Sequence, residues 1–172
     1  MYEIEYQSRE ASRAERLLSE LSAQKAAGFE VRVVTHYQPD ADAILGAALA
    51  AEAVNGADIV FGSSDHAIGE DQPHTIGVDV RSGARSIKGR GSSAAEVIAR
   101  AMQAIGWEMD DPLLALIREV TAIDTGQGGG GARLNFGELT RNLRAAGWND
   151  ERIIAFVVEC IRPHLTRPAV IS

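Results

Sequence analysis

The spacing of apolar residues divides the chain into short β-like runs that alternate with helical segments. In residues 8–27, Leu17, Leu18 and Leu21 fall on one side while Arg13, Glu15, Arg16 and Glu20 lie elsewhere, which predicts a helix closed by Gly28. Residues 29–35 form a valine-rich run short enough for a central strand. Residues 42–54, rich in alanine with Ile44, Leu45 and Leu49, predict a packed helix ending at Asn55-Gly56, and residues 57–62 predict a second strand. The polar stretch 63–74 reads as a loop, and residues 75–80 read as a third strand with Asp79 near its end. No period survives in residues 81–91, which hold Gly83, Gly89 and Gly91, so a loop is expected there. Ser92 or Ser93 then caps a helix reaching Ala104, and Ser93 with Glu96 has the spacing of a capping box. Pro112 sits in the first turn of a helix over 113–123. Two further helices, about 136–146 and 150–161, precede an irregular end with Pro163 and Pro168.

This alternation predicts an α/β fold, a layered and mostly parallel sheet with helices on both faces. Ligands of such sheets bind beyond the carboxyl ends of the strands. His36 and Asp40 follow the first strand and Asp79 closes the third, so they are expected on one rim. His36, Asp40 and Asp42 lie within seven positions on a strand-to-helix turn. An imidazole and two carboxylates there suit a hard or borderline divalent cation. Helix capping by Asp40 or Asp42 accounts for one aspartate and leaves the other and His36 without a role. Asp79 also reads as a turn residue at a strand end, and Asp124, in Asp124-Thr125-Gly126, as one at a helix end.

Composition narrows the classes. At 172 residues the chain is expected to be one domain (1–172), with a core of about 29–126 and a helical extension over 132–172. A net charge of −7 argues against a nonspecific nucleic-acid binder but leaves room for a metal enzyme acting on phosphates. The single cysteine, Cys160, forms no intramolecular disulfide and fits a reducing cytoplasm; its neighbours read as a buried helix, so a core thiol is expected. The segment 1–5 lacks signal-peptide character, and no apolar run approaches the ~18 residues of a membrane span, so a cytoplasmic location without a membrane partner is expected. Trp107 and Trp148 each follow a glycine after a helix and read as packing residues, and His164 as a surface residue. The glycine run 128–131 reads as a flexible loop.

With these residues in view, the chain resembles the DHH phosphoesterase superfamily. The first motif of that family, His-x-x-x-Asp-x-Asp after the first strand, is matched in type and spacing by His36, Asp40 and Asp42, with Pro39 and Ala43-Ile44 beside them. The second, an Asp at the end of a later strand, is matched by Asp79 in Gly-Val-Asp-Val, and the fourth, Asp-Thr-Gly, by Asp124-Thr125-Gly126. The third motif departs. The small-residue segment that starts a helix is there as Gly89-Arg90-Gly91-Ser92-Ser93-Ala94-Ala95-Glu96, but Ser86-Ile87-Lys88 stands where Asp-His-His belongs. His66 and His74, in an earlier loop, would have to swing in to replace those histidines. The resemblance covers about residues 29–126, and the carboxyl-terminal part is too short for the family's second domain.

The resemblance implies a pair of manganese ions, with magnesium as the alternative metal and no organic cofactor. Asp79 would bridge them, His36 and Asp40 would hold one, and Asp42 and Asp124 the other. Such a pair generates hydroxide and clamps phosphoryl oxygens. Loss of the histidines removes a ligand of the second ion, so a single ion on His36, Asp40 and Asp79 is the more secure expectation. Lys88 would act beside Asp79 in catalysis and, with Arg90, Gly91 and Ser92, would hold phosphate, aided by the N-terminus of the following helix. The implied partner is a small phosphorylated ligand or short oligonucleotide, not a long nucleic acid; an assembly of like chains is compatible. Three functions are compatible with these residues: a metal-dependent phosphoesterase, a degenerate domain that binds a phosphorylated ligand or a protein without turnover, and a plain response-regulator-like module. Restoring histidines at Ile87 and Lys88 would separate the first two.

Overall fold

The structure is a computed structural model that describes residues 2–128 and 134–169, with side chains from residue 7 onward. The glycine run therefore lies outside the described residues from Gly129 to Gly131. Its centre is a four-stranded sheet of β1 (Arg32–His36), β2 (Asp58–Gly62), β3 (Thr75–Val78) and β4 (Ser86–Ile87), in the order β2-β1-β3-β4. All three pairings are parallel; Val33 stands beside Ile59 on one side and Ile76 on the other, and Val78 beside Ile87. β1 begins later than the valine run suggests, because Phe29 stays exposed and stacks on His74 with ring centroids 4.8 Å apart. β4 falls inside the stretch expected to be a loop. A strand of only two residues carries no period to read.

Successive strand residues alternate between faces. Val33, Ile76, Val78 and Ile87 enter the main core together with α1 (Tyr2–Ala26), α2 (Ala41–Ala53) and α3 (Ala94–Ala104). Every residue of α2 is buried, Asp42 and Glu52 included, because the helix runs under β1, β2 and β3 and is walled in by α3 and α6 (Asp150–Ile161). At Gly46 a methyl group would come within 2.8 Å of Val78 Cγ1 and 3.3 Å of the Ala95 nitrogen, so glycine sets how closely α2 meets the sheet and α3. The layered α/β class is as expected, but the helix layer is one-sided. On the opposite face Val34 is half-buried and Val60 exposed, and the cover over β3 is loop: Ile68 sits where a side chain on Gly77 would go, 2.8 Å from the added carbon. The connections β2–β3 and β3–β4 lack helices, which is why no second helix layer forms here.

The two edges of the sheet differ. Beside β4, Arg13 of α1 donates to the carbonyls of Ser86 and Gly83, each at 3.3 Å, and the Glu10 carboxylate accepts the N–H groups of Lys88 at 2.6 Å and Gly89 at 3.1 Å. Two side chains thus stand in for a neighbouring strand. β2 has no such cover among the described residues.

Beyond α3 the chain adds α4 (Asp111–Asp124) and α5 (Phe136–Ala145) before α6, and a small antiparallel pair, β5 (Glu108–Met109) with β6 (Leu165–Thr166), that the pattern of residues does not announce. In α6, Ile153, Ile154, Val157 and Ile161 face the core, whereas Phe156 and Cys160 are exposed. Cys160 is therefore not a core thiol; the helix is amphipathic and position 160 lies off its buried stripe. Trp107 is buried, and Trp148 packs edge-on to Phe156 at 5.8 Å under the Arg152 guanidinium, so both tryptophans serve packing. The capping box expected at Ser93 is half formed: Ser93 Oγ accepts the Glu96 N–H at 3.1 Å, but the Glu96 carboxylate turns to Ser92 and Arg100. No helix among the described residues is long and apolar enough to cross a membrane.

Candidate metal centre

Parallel pairing of β1 with β3 aligns Arg32 with Thr75 and Val34 with Gly77, so His36 and Asp79 emerge side by side at the carboxyl end. Asp79 directly follows β3 with φ of +52°, a left-handed turn that ends the strand, and its N–H bonds the Ile87 carbonyl at 2.8 Å. From His36 the chain turns through Tyr37 and Gln38, the latter also left-handed at φ +51°, and brings Asp40 back beside them. One ligand atom each from His36, Asp40 and Asp79 lies within 4.8 Å of the other two. His36 and Asp79 are sheltered and Asp40 faces solvent.

Neighbouring groups orient these three side chains. His36 Nδ1 lies 3.0 Å from the Tyr37 carbonyl oxygen, which accepts its proton and leaves Nε2 aimed into the cluster, 3.2 Å from Asp79 Oδ2. Both nitrogens thus face acceptors. The Asp79 hydrogen bond raises the imidazole pKa above its ordinary value, with burial opposing it and the Tyr37 carbonyl reinforcing it. Asp40 combines two roles left open by spacing: Oδ1 caps α2 by accepting the Ala43 N–H at 3.0 Å, and its second oxygen has no bond within the cap.

Asp42 lies elsewhere in the site. It is buried, and its oxygens accept the N–H groups of Ala94 and Ala95, both at 2.8 Å, bolting α2 to the N-terminus of α3. Burial pushes its carboxyl up to about 7; the two N–H groups resist that shift, and the charges of Asp79 and Asp124 add to it. It is not one of the three converging ligands. The same bonds occupy the first amides of α3, so the expected anion site at that helix N-terminus is filled by the protein's own carboxylate.

Lys88, leaving β4, places its ammonium on Asp79 Oδ1. Burial disfavours that charge, but the Asp79 hydrogen bond and the charges of Asp79, Asp40 and Asp42 outweigh it and keep the pKa above that of an ordinary lysine. Asp124, at the end of α4, lines the same cavity as Asp79 and Lys88, a space of about 590 Å³ that also meets Arg90, Gly91 and Ser92. A smaller space of about 240 Å³ joins Asp124 to Asp40 and Asp42. Partial burial, then Asp40 and Asp79, raise the Asp124 pKa, against the pull of Lys88. Of the five groups named from the sequence, His36, Asp40 and Asp79 converge, while Asp42 and Asp124 stand apart from that cluster, Asp124 lining both cavities.

Of the proposed phosphate holders, Arg90 and Gly91 are exposed on the cavity wall, whereas the Ser92 hydroxyl is engaged with Glu96. Gly89 is indispensable to this turn: its φ is +75°, and an added carbon would lie 2.2 Å from the Ala94 nitrogen. Neither loop histidine replaces the missing pair. His74 is bonded to Gln24 at 2.9 Å, and its carbonyl receives the Arg32 N–H at the opposite end of β1; His66 is exposed and stays outside the cluster. Ile87 is buried in the core, so a histidine there would not reach the crevice, and of the three positions Ser86-Ile87-Lys88 only Lys88 does. Sequence reasoning missed Glu10, which fixes the backbone of Lys88 from 78 residues away, and the Tyr37 carbonyl; no local signal marks either. No family model, curated protein or solved structure matches the chain.

Proposed function

We propose that the chain is a divalent-cation-dependent phosphoesterase of the DHH type acting in the cytoplasm on a small phosphate ester, a short oligonucleotide or a pyrophosphate-type substrate. His36, Asp40 and Asp79 would hold the cation, manganese or magnesium, which supplies Lewis acidity and a water of lowered pKa. Lys88 and Arg90 would face the phosphate, and Asp124 would close the crevice opposite them. The observation that carries this reading is the convergence of His36, Asp40 and Asp79 within 4.8 Å at the strand ends, opening on a cavity lined by Lys88 and Arg90. The donor set fits a hard or borderline ion: one imidazole with its far nitrogen anchored and two carboxylates.

Release of p-nitrophenol from bis-(p-nitrophenyl) phosphate, of mononucleotides from dinucleotides and of phosphate from pyrophosphate by manganese-loaded protein tests the proposal, with His36→Ala as control. Absence of turnover on all three by protein that demonstrably holds the ion defeats it. The second reading, a phosphate-binding domain without turnover, is favoured by one observation: Asp42 is committed to α3, which leaves a second ion few ligands. Under that reading dinucleotide binds the loaded protein and is recovered intact.

A further inference from the structure

We propose that Lys88 is a resident monovalent cation that holds one oxygen of Asp79 and thereby restricts the crevice to a single divalent ion. This rests on the reading of the crevice as a cation site. The two oxygens of Asp79 face different partners: Oδ2 lies 3.2 Å from His36 Nε2, on the side of Asp40, and Oδ1 receives the Lys88 ammonium. A carboxylate that bridges a metal pair through both of its oxygens gives one to each ion. Here the second oxygen already has a positive partner.

The remaining donors agree. Asp42 has both oxygens on the Ala94 and Ala95 amides. Ser86 Oγ accepts the Ile68 N–H at 3.2 Å on the far face of the sheet, and Ile87 is in the core. Among the described residues that leaves Asp124 as the one carboxylate across the cavity from Lys88, and one carboxylate does not make a second site. Lys88 is also positioned rather than adrift. Its backbone N–H is held by Glu10 at 2.6 Å, the next N–H by the same carboxylate, and the Asp79 N–H is paired to β4. An ammonium there offsets part of the charge of Asp40, Asp42, Asp79 and Asp124 while demanding no coordination sphere.

Calorimetric titration with Mn²⁺ alone, together with electron paramagnetic resonance of the loaded proteins, tests this on the wild type, Lys88→Gln and Lys88→His. The wild type is expected to bind one ion with the spectrum of an isolated centre. Lys88→Gln keeps the stem and removes the charge, and should bind that ion about tenfold more tightly, since a like charge no longer repels it. Lys88→His should take up a second ion and show exchange coupling. A coupled pair in the wild type, or the same affinity and stoichiometry in all three proteins, overturns the inference while leaving the cation site standing. No uptake by any of the three overturns the cation site and this inference together.

Discussion

Replacing Glu10 by alanine would strip β4 of its outer partner. The carboxylate is buried and accepts two backbone N–H groups, from Lys88 at 2.6 Å and Gly89 at 3.1 Å. Hydrogen bonds to a charged group contribute about 1.5–3 kcal/mol each, and the two amides would lose that acceptor. The apolar anchors of α1, Leu17, Leu18 and Leu21, remain, so the helix should stay docked and the loss be confined to the edge. The expected cost is about 3–5 kcal/mol, a fall in Tm of roughly 8–14 °C for a chain of this size. Glu10→Gln retains one acceptor oxygen and should cost about half as much. Glu15→Ala, on the exposed side of α1, should change stability by no more than about 0.5 kcal/mol. Urea unfolding read by tryptophan fluorescence gives all three values. A loss below about 1 kcal/mol for Glu10→Ala would refute the claim that this carboxylate stands in for a strand.

Asp79→Asn should weaken Mn²⁺ binding at least about tenfold by calorimetry, because it removes the charge that faces both His36 and Lys88. In metal-free protein the Asp42 carboxyl, at about 7, holds a proton that the unfolded chain has released near pH 4, so folded stability should fall as pH rises between those values. His36, its pKa also raised, acts in the same direction from its unfolded value near 6.5 upward, and urea midpoints at pH 5.5 and 8 should show the drop, reduced in Asp42→Asn. Gly89→Ala should cost more than about 2 kcal/mol, against a far smaller loss for Gly28→Ala, where the added carbon meets nothing within 4 Å; thermal melts compare the two. Cys160 should react with a thiol reagent in the native protein, and Cys160→Ser should leave the Tm unchanged within error.

How far the residues alone could be read depended on the range of the interactions involved. α2 is legible because Asp40 caps it and Asn55-Gly56 end it within one local stretch, and the end of β1 is legible because its valine run gives way to Thr35-His36; β3 stops two residues short of the expected 80, at the left-handed turn of Asp79. The rim placement of His36, Asp40 and Asp79 is a direct result. Asp42 could not be assigned from spacing, since its partners, the Ala94 and Ala95 amides, lie more than fifty positions away. β4 and the β5–β6 pair escape for the same reason: two-residue strands exist only through the neighbour they bond. The expectation of a core thiol at Cys160 failed because an unbroken apolar run hid which side of α6 faces inward.

The unequal edges of the sheet also bear on how copies of this chain can meet. On the β4 side, Glu10 and Arg13 plug the amide and carbonyl groups that an incoming strand would need. β2, Asp58–Gly62, lacks lysine and proline and shows Val60 to solvent. Among the described residues, the four-stranded sheet therefore leaves its β2 edge as the one without such a plug, the side from which strand addition would come in concentrated stocks or during refolding. A charge placed at Val60 would be the economical way to guard that edge.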